Sequence, residues 1–367
     1  MMKIERIELR EISTKLRFRF QTSFGEEQHL RKLLVTVFSD DIEGYGECTG
    51  HNFPGYSYET VDTAWFTLKD NIVPVVLGKD YETADQLLHD LSYIRGHNMA
   101  VAALESAFWD LKAKALGVPL WTLLGGRNMS IPVGASLGIQ ASAEETVELA
   151  QRHMEQGYQR LKFKIKPGWD VVPLRAVREA LPDMALTVDA NSAYGLTDAR
   201  VFQELDELGL DYIEQPLAYD DLVDHAQLQS QLKTAICLDE SIHSAEDARK
   251  GLQLGSGRVI NLKMGRVRGH RRSLRVHDVA LAFGAPLWCG GMLETAIGRA
   301  HNLHLSSLEG FVLPGDTSSA SRYWEKDISH EWLDAKDGFQ SVPQGSGIGI
   351  TLDNDFLQKV TVRKETF

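Results

Sequence analysis

Lys164, Asp189, Glu214, Asp239 and Lys263 lie 25, 25, 25 and 24 positions apart. Each closes a short strand-like run: LKFK, ALTVD, DYIE, AICLD and VINLK. A parallel strand, its return helix and two loops take about 25 residues. The spacing therefore predicts five consecutive βα units, each strand ending in a charge, in the order base, acid, acid, acid, base. Parallel strands of a barrel all finish at one face, so the five side chains should meet there. Asp189, Glu214 and Asp239 offer only oxygen. That donor set suits Mg²⁺, with Mn²⁺ as a substitute, rather than zinc. The chain contains no HxH or HExxH. Acids at strand ends can instead cap the helices that follow, but three on successive strands, bracketed by lysines, argue against that for the set.

Lys162 and Lys164 form a KxK pair, and residues i and i+2 of a strand share a face. Both ammonium groups should enter the barrel mouth. Their repulsion, together with a nearby cation, is expected to lower the pKa of the one nearest the substrate, which suits a general base. Lys263 should arrive from the opposite side. Arg266 could depress its pKa in the same way, or could be a surface arginine at a helix start. Lys166 precedes Pro167 and is placed in a loop without a role. Two lysines facing each other across a metal-held carboxylate can remove and return an α-proton. They can also remove it while a β-group leaves.

Stepwise along the chain, residues 1–50 alternate as an antiparallel meander of three strands, and 58–70, 82–93 and 98–116 have helical periodicity. Strands followed by helices indicate an α+β unit. WTLLGG (121–126) reads as a short helix with a glycine stop. From about residue 130 strands and helices alternate. IPVGASLG is the first barrel strand, APLWCGG the seventh and FVLPGD a candidate last one. The expected fold is α/β: a modified TIM barrel, (β/α)7β, with an α+β N-terminal capping domain. The expected boundaries are 1–126 for the cap, 127–320 for the barrel and 321–367 for a segment returning to the cap, with GIGITLD as a strand in it.

The 367 residues carry a net charge of −12, with 43% hydrophobic and 25% charged residues. An acidic, ordinary composition argues against nucleic-acid and anionic-membrane partners. The exception is RVRGHRR (266–272), read as a solvated loop and helix start. The three cysteines, Cys48, Cys237 and Cys289, are dispersed and suggest neither a disulfide framework nor a zinc knuckle. The N-terminus has no apolar h-region and no stretch is long enough to span a bilayer, so a cytoplasmic location is expected. Pairing of the barrel flank with a second copy, a homo-oligomer, is expected too.

A lysine base with Mg²⁺ stabilising an ene-diolate is the pattern known from the enolase superfamily. The chain resembles that superfamily's muconate-cycloisomerase subgroup in KFKIKPGWD, VDANSAY, IEQPL, CLDES, NLKMGRVRG and ALESAFWDLKAKALGVPLWTLLGG. The resemblance implies metal ligands at Asp189, Glu214 and Asp239 and acid/base groups at Lys164 and Lys263. It also implies that Lys162 polarises the substrate carboxylate, with Asn191, Glu240 and Arg266 supporting the site. PGWD, KMGRVRG, WCGGMLETAIGRA and LPGDTSSASRYW are most similar to o-succinylbenzoate synthases, many relatives of which racemise N-succinylamino acids. The implied partner is a small carboxylate substrate with a succinyl group, and the synthase step belongs to menaquinone biosynthesis. Dipeptide epimerases use a DxD where this chain has CGGML, and the histidine base of mandelate racemase is missing. Candidate substrate contacts are Phe24, Gly291, Met292, Leu293 and position 135 (Ala135). The loops FQTSFGEE and GHNFPGYS are either specificity loops or ordinary hairpin turns.

Overall fold

The computed structural model describes residues 1–367. Strands β1 (Arg6–Gln21), β2 (Glu26–Ser39) and β3 (Ile42–Cys48) form an antiparallel meander. Helix α1 (Asn98–Ala115) lies across it. Gly46 permits this close approach, because a Cβ there would overlap Ala103 O. Gly117, at φ 68°, lets the chain leave α1 in a conformation that a Cβ would strain. Smaller helices form over Val61–Phe66 and Ala84–Asp90, within the stretches of helical periodicity.

The barrel strands are β4 (Ala135–Leu137), β5 (Leu161–Lys164), β6 (Leu186–Asp189), β7 (Tyr212–Glu214), β8 (Ala235–Leu238), β9 (Val259–Leu262) and β10 (Leu287–Cys289). They pair in parallel in chain order. The segment expected as an eighth strand forms only two isolated parallel bridges, Leu287 with Phe311 and Val133 with Gly315. These bridges join β10 back to the chain just before β4, closing the barrel. The first expected strand is split. Ser130–Pro132 pairs with Phe339–Ser341 outside the barrel, and only Ala135–Leu137 enters it.

The chain's end differs from the sequence expectation. GIGITLD is irregular apart from two isolated bridges, Pro119 with Gly347 and Ser329 with Leu352, whereas β11 (Thr361–Thr366) pairs with β1. The N-terminal sheet therefore has four strands, ordered β11-β1-β2-β3. Residues of β11 alternate between half-buried and exposed, and its charges VRKE hid this pattern in the sequence.

Two apolar cores, one under the N-terminal sheet and one around the barrel, are joined by buried carboxylates. Glu47 of β3 accepts bonds from Thr295 Oγ1 (2.7 Å) and Gly298 N (3.0 Å) at the start of α3 (Ala296–Ser306). Glu105 of α1 accepts from His270 N and Arg271 N, both 2.8 Å, at the start of α2 (His270–Phe283). Each satisfies orphan amides of a barrel helix from the neighbouring unit. The basic run is not solvated as expected: Arg266 is buried, and Arg268 donates to Leu91 O and Ile94 O across the same junction.

The junction also carries a pH dependence. Burial holds His301 down to about 4 and His304 down to about 3. Both stay neutral in the fold yet take up protons when unfolded below about pH 6.5. Their contribution to stability is present above that pH and is lost as pH falls toward 4. His304→Gln should therefore lose less stability than wild type between pH 6.5 and 4. The expected difference in urea unfolding is about 3 kcal/mol, at 1.36 kcal/mol per pKa unit.

Candidate active site

The strand register builds the site. Lys164 pairs with Asp189, and Asp189 with Glu214, at the C-terminal ends of β5, β6 and β7. Asp239 and Lys263 follow directly after β8 and β9. The chain turns sharply behind these groups. Asn191 (φ 44°), Ser192 (φ 62°) and Gln215 (φ 36°) adopt left-handed conformations rare for side-chain-bearing residues. Gln215 stabilises its turn by accepting bonds from Asp239 N (2.9 Å) and Ser241 Oγ (3.1 Å).

Lys164 Nζ donates to Asp189 Oδ2 (2.6 Å) and Asn191 Oδ1 (2.8 Å). Across the mouth, Lys263 Nζ donates to Asp239 Oδ2 (2.7 Å) and Tyr56 OH (3.0 Å). Arg266 also pairs with Asp239, and it donates to Tyr56 OH, Ile242 O and Asn261 O. Lys162 Nζ lies 2.9 Å from Glu214 Oε2 and 2.7 Å from Asp316 Oδ2. Asn191 Nδ2 donates to Glu240 Oε1 (3.0 Å), and Asn261 Nδ2 to Glu214 Oε1 (2.7 Å).

Two of the lysines are governed by their carboxylate neighbours rather than by the cations beside them. Burial disfavours the charge on Lys162 and Lys263, but the carboxylates beside them outweigh it and raise both well above the usual lysine value. Repulsion from Arg266 on Lys263 is the weaker effect. Burial likewise opposes ionisation of Asp189 and Asp239. Lys164 and Lys162 hold the first below the usual carboxylate range, and Arg266 and Lys263 hold the second there. Glu214 goes the other way: burial, then repulsion from Asp189, pushes it up to about 8.

Asp189, Glu214 and Asp239 do not close into a ready-made ligand cluster, because each is engaged by a cationic side chain. The donor chemistry nevertheless fits a hard cation. The acids are buried and offer only oxygen, Glu240 Oε2 has no hydrogen-bond partner although shielded from solvent, and Glu214 Oε2 meets only the Lys162 ammonium.

Phe24, Gly291, Met292 and Leu293 line one cavity with Lys164, Asn191 and Lys263. Position 135 does not join them. Ala135 points into the barrel core, and its neighbour Ser136, on the opposite face of the same strand, reaches the mouth. Gly290 is needed for close packing, since a Cβ there would lie 2.6 Å from Lys263 Cε.

Sequence reasoning missed Asp316, Tyr56, Asn261 and Gln215. Asp316 had a signal, as the acid ending the closing segment FVLPGD. It binds both Lys162 and Arg160 (2.9 Å) with all three side chains buried. Asp316→Ala would leave two buried cations short of a partner. It should cost about 3–5 kcal/mol in denaturant unfolding.

Residues 145–356 match the family described as enolase C-terminal domain-like, and residues 5–125 match the mandelate racemase / muconate lactonizing enzyme N-terminal domain. The chain belongs to this enolase-superfamily family. An N-succinylamino acid racemase from Thermus thermophilus is 55% identical over 98% of this chain and 98% of its own. An o-succinylbenzoate synthase from Geobacillus kaustophilus is 50% identical over 98% and 96%. The crystal structure of an enolase-superfamily member from Listeria innocua superposes with a TM-score of 0.96 at 38% identity, covering 100% of this chain and 99% of that one. With this fold, a buried acid trio flanked by lysines sits at the mouth of the family's barrel.

Proposed function

We propose that the protein is an o-succinylbenzoate synthase that also racemises N-succinylamino acids. It dehydrates 2-succinyl-6-hydroxy-2,4-cyclohexadiene-1-carboxylate in menaquinone biosynthesis. The observation that carries this reading is Lys164 and Lys263 on opposite sides of Asp189, Glu214 and Asp239. Full-length likeness to proteins of both names supports it. Asp189, Glu214 and Asp239 are the residues that would hold Mg²⁺, with Asn191, Glu240 and Arg266 orienting them. Bound there, Mg²⁺ supplies electrostatic stabilisation of the second negative charge that a carboxylate gains as its α-proton leaves.

Lys162 neutralises the substrate carboxylate from below. For dehydration, Lys164 takes the α-proton on Nζ and returns it to the departing hydroxyl, which leaves as water. Lys263 stays protonated and stabilises the enolate. For racemisation, one lysine takes the α-proton and the opposite ammonium donates one to the other face. Asp239, which raises Lys263, is also one of the residues that would hold the cation; with a cation bound there, Asp239 would pull less strongly on Lys263.

A dedicated racemase is the second reading, favoured by the 55% identity with the Thermus thermophilus protein. The test follows loss of diene absorbance with Mg²⁺-loaded protein. Efficient turnover that EDTA abolishes supports the synthase. Racemisation without turnover of the diene favours the dedicated racemase.

A further inference from the structure

The cavity at the barrel mouth has two lobes that share Phe20, Lys164, Lys263, Gly291 and Leu293. Both open onto the two lysines, which offers one lobe to each arm of a branched substrate. One lobe continues to Lys162, Arg299 and Ser136, a cationic and polar surface that suits an acyl tail ending in carboxylate. The other runs beneath the capping loops. Phe24, Tyr56 and Met292 form its walls, Lys164, Asn191 and Lys263 its floor, and Glu27 and His51 place a further polar pair away from that floor.

His51 Nδ1 lies 2.8 Å from Glu27 Oε2, and the two side chains are only 11% and 9% exposed. The imidazole is fixed from two directions. Phe24 meets it edge-on at 6.3 Å, and Tyr56 lies beside it at 5.8 Å. Burial opposes the charge on Glu27, but His51, Lys32 and the Asn52 amide hold it below the usual carboxylate range. An ionised carboxylate only accepts, so in the neutral ring the proton sits on Nδ1 and Nε2 carries the lone pair. No protein group bonds His51 Nε2, and Glu27 Oε1 also has no partner. Away from the lysines, this lobe thus contains spare acceptors and a negative charge.

We infer that the Glu27–His51 pair reads the amino-acid side chain of the racemisation substrate, selecting N-acylamino acids that carry a hydrogen-bond donor there. Apolar side chains of similar size leave the acceptors unpaired, and acidic ones are repelled by Glu27. The inference rests on the racemase half of the proposed function. His51 contacts the side chain, and Glu27 is a positioning residue that fixes the tautomer.

The test compares kcat/KM for N-succinyl-L-glutamine, N-succinyl-L-methionine and N-succinyl-L-glutamate in wild type, His51→Leu and Glu27→Gln. Wild type should favour the glutamine derivative at least tenfold over each of the others. His51→Leu should bring glutamine and methionine to within about threefold, mainly through KM. Glu27→Gln keeps an acceptor for Nδ1–H. It should preserve the glutamine-to-methionine preference while relaxing rejection of glutamate. His51→Phe, which keeps a ring against Phe24 and Tyr56 but has no acceptor, replaces His51→Leu if the latter does not fold. A wild type that favours methionine, or an unchanged ratio in the His51 variant, overturns the inference and leaves the proposed function standing. Dehydration of the diene without racemisation of any derivative overturns it too, while sustaining the synthase. Inactivity in both assays overturns the proposed function itself.

Discussion

Lys263→Ala and Lys164→Ala are each expected to lower kcat for dehydration and racemisation by at least about 10³-fold, within the range of general acid–base catalysis. The two lysines enter the mouth from different strands and bind different carboxylates, Lys164 on Asp189 and Lys263 on Asp239. On the proposed mechanism each lysine serves one face of the substrate. Racemisation therefore requires both, but exchange of the α-proton with solvent requires only one. Each single variant should retain exchange of one enantiomer in D₂O, and the retained enantiomer should differ between the variants. A general loss of folding or substrate binding cannot produce that reciprocal pattern. In Lys263→Ala, Arg266 still pairs with Asp239, so the carboxylate is not left alone. Exchange of both enantiomers in either variant, followed by proton NMR, would remove the two-base mechanism.

The sequence carried the barrel mouth clearly because every charged strand end falls on one period. A parallel strand can finish with only one face turned to the mouth, so Lys164, Asp189 and Glu214 had nowhere else to go. What closes the barrel was harder to read. Residues 311–315 pair through single bridges rather than a ladder, and Pro314 removes a donor there. Tyr56 and His51 gave no periodic signal, because they lie in an irregular loop whose place over the site is fixed by distant partners. Asn52 ties that loop to the sheet through Arg31 N and His29 O, contacts that local sequence cannot encode. The raised pKa of Lys162 was hidden for a related reason. The KxK spacing displays the repulsion between cations, whereas the carboxylates that outweigh it come from elsewhere in the chain, 27 to 154 positions away in Asp189, Glu214 and Asp316.

Glu214→Gln should abolish both activities by a comparable factor, at least about 10³-fold, and should also remove a readout independent of turnover. A ligand that binds only the folded state stabilises it by about 2.7 kcal/mol at a hundredfold excess over Kd. Wild type should therefore unfold at higher temperature as Mg²⁺ is added, and EDTA should reverse both the shift and the activity. Glu214 is the informative proposed ligand because it occupies the middle strand of the acid trio and its Oε2 meets only the Lys162 ammonium, 2.9 Å away. Glutamine preserves the acceptor that Asn261 Nδ2 uses at 2.7 Å but turns an amide toward Lys162, which keeps its 2.7 Å pair with Asp316. Metal-free Glu214→Gln is therefore the reference for the variant, and it should show no rise on adding Mg²⁺. Were Mg²⁺ to stabilise the variant as much as wild type, the cation would bind elsewhere. Glu214 would then be a buried partner of Lys162 rather than a ligand. Were activity to survive EDTA in wild type, the lysines would have to act without a cation, and the charge left on the substrate would fall to Lys162 alone.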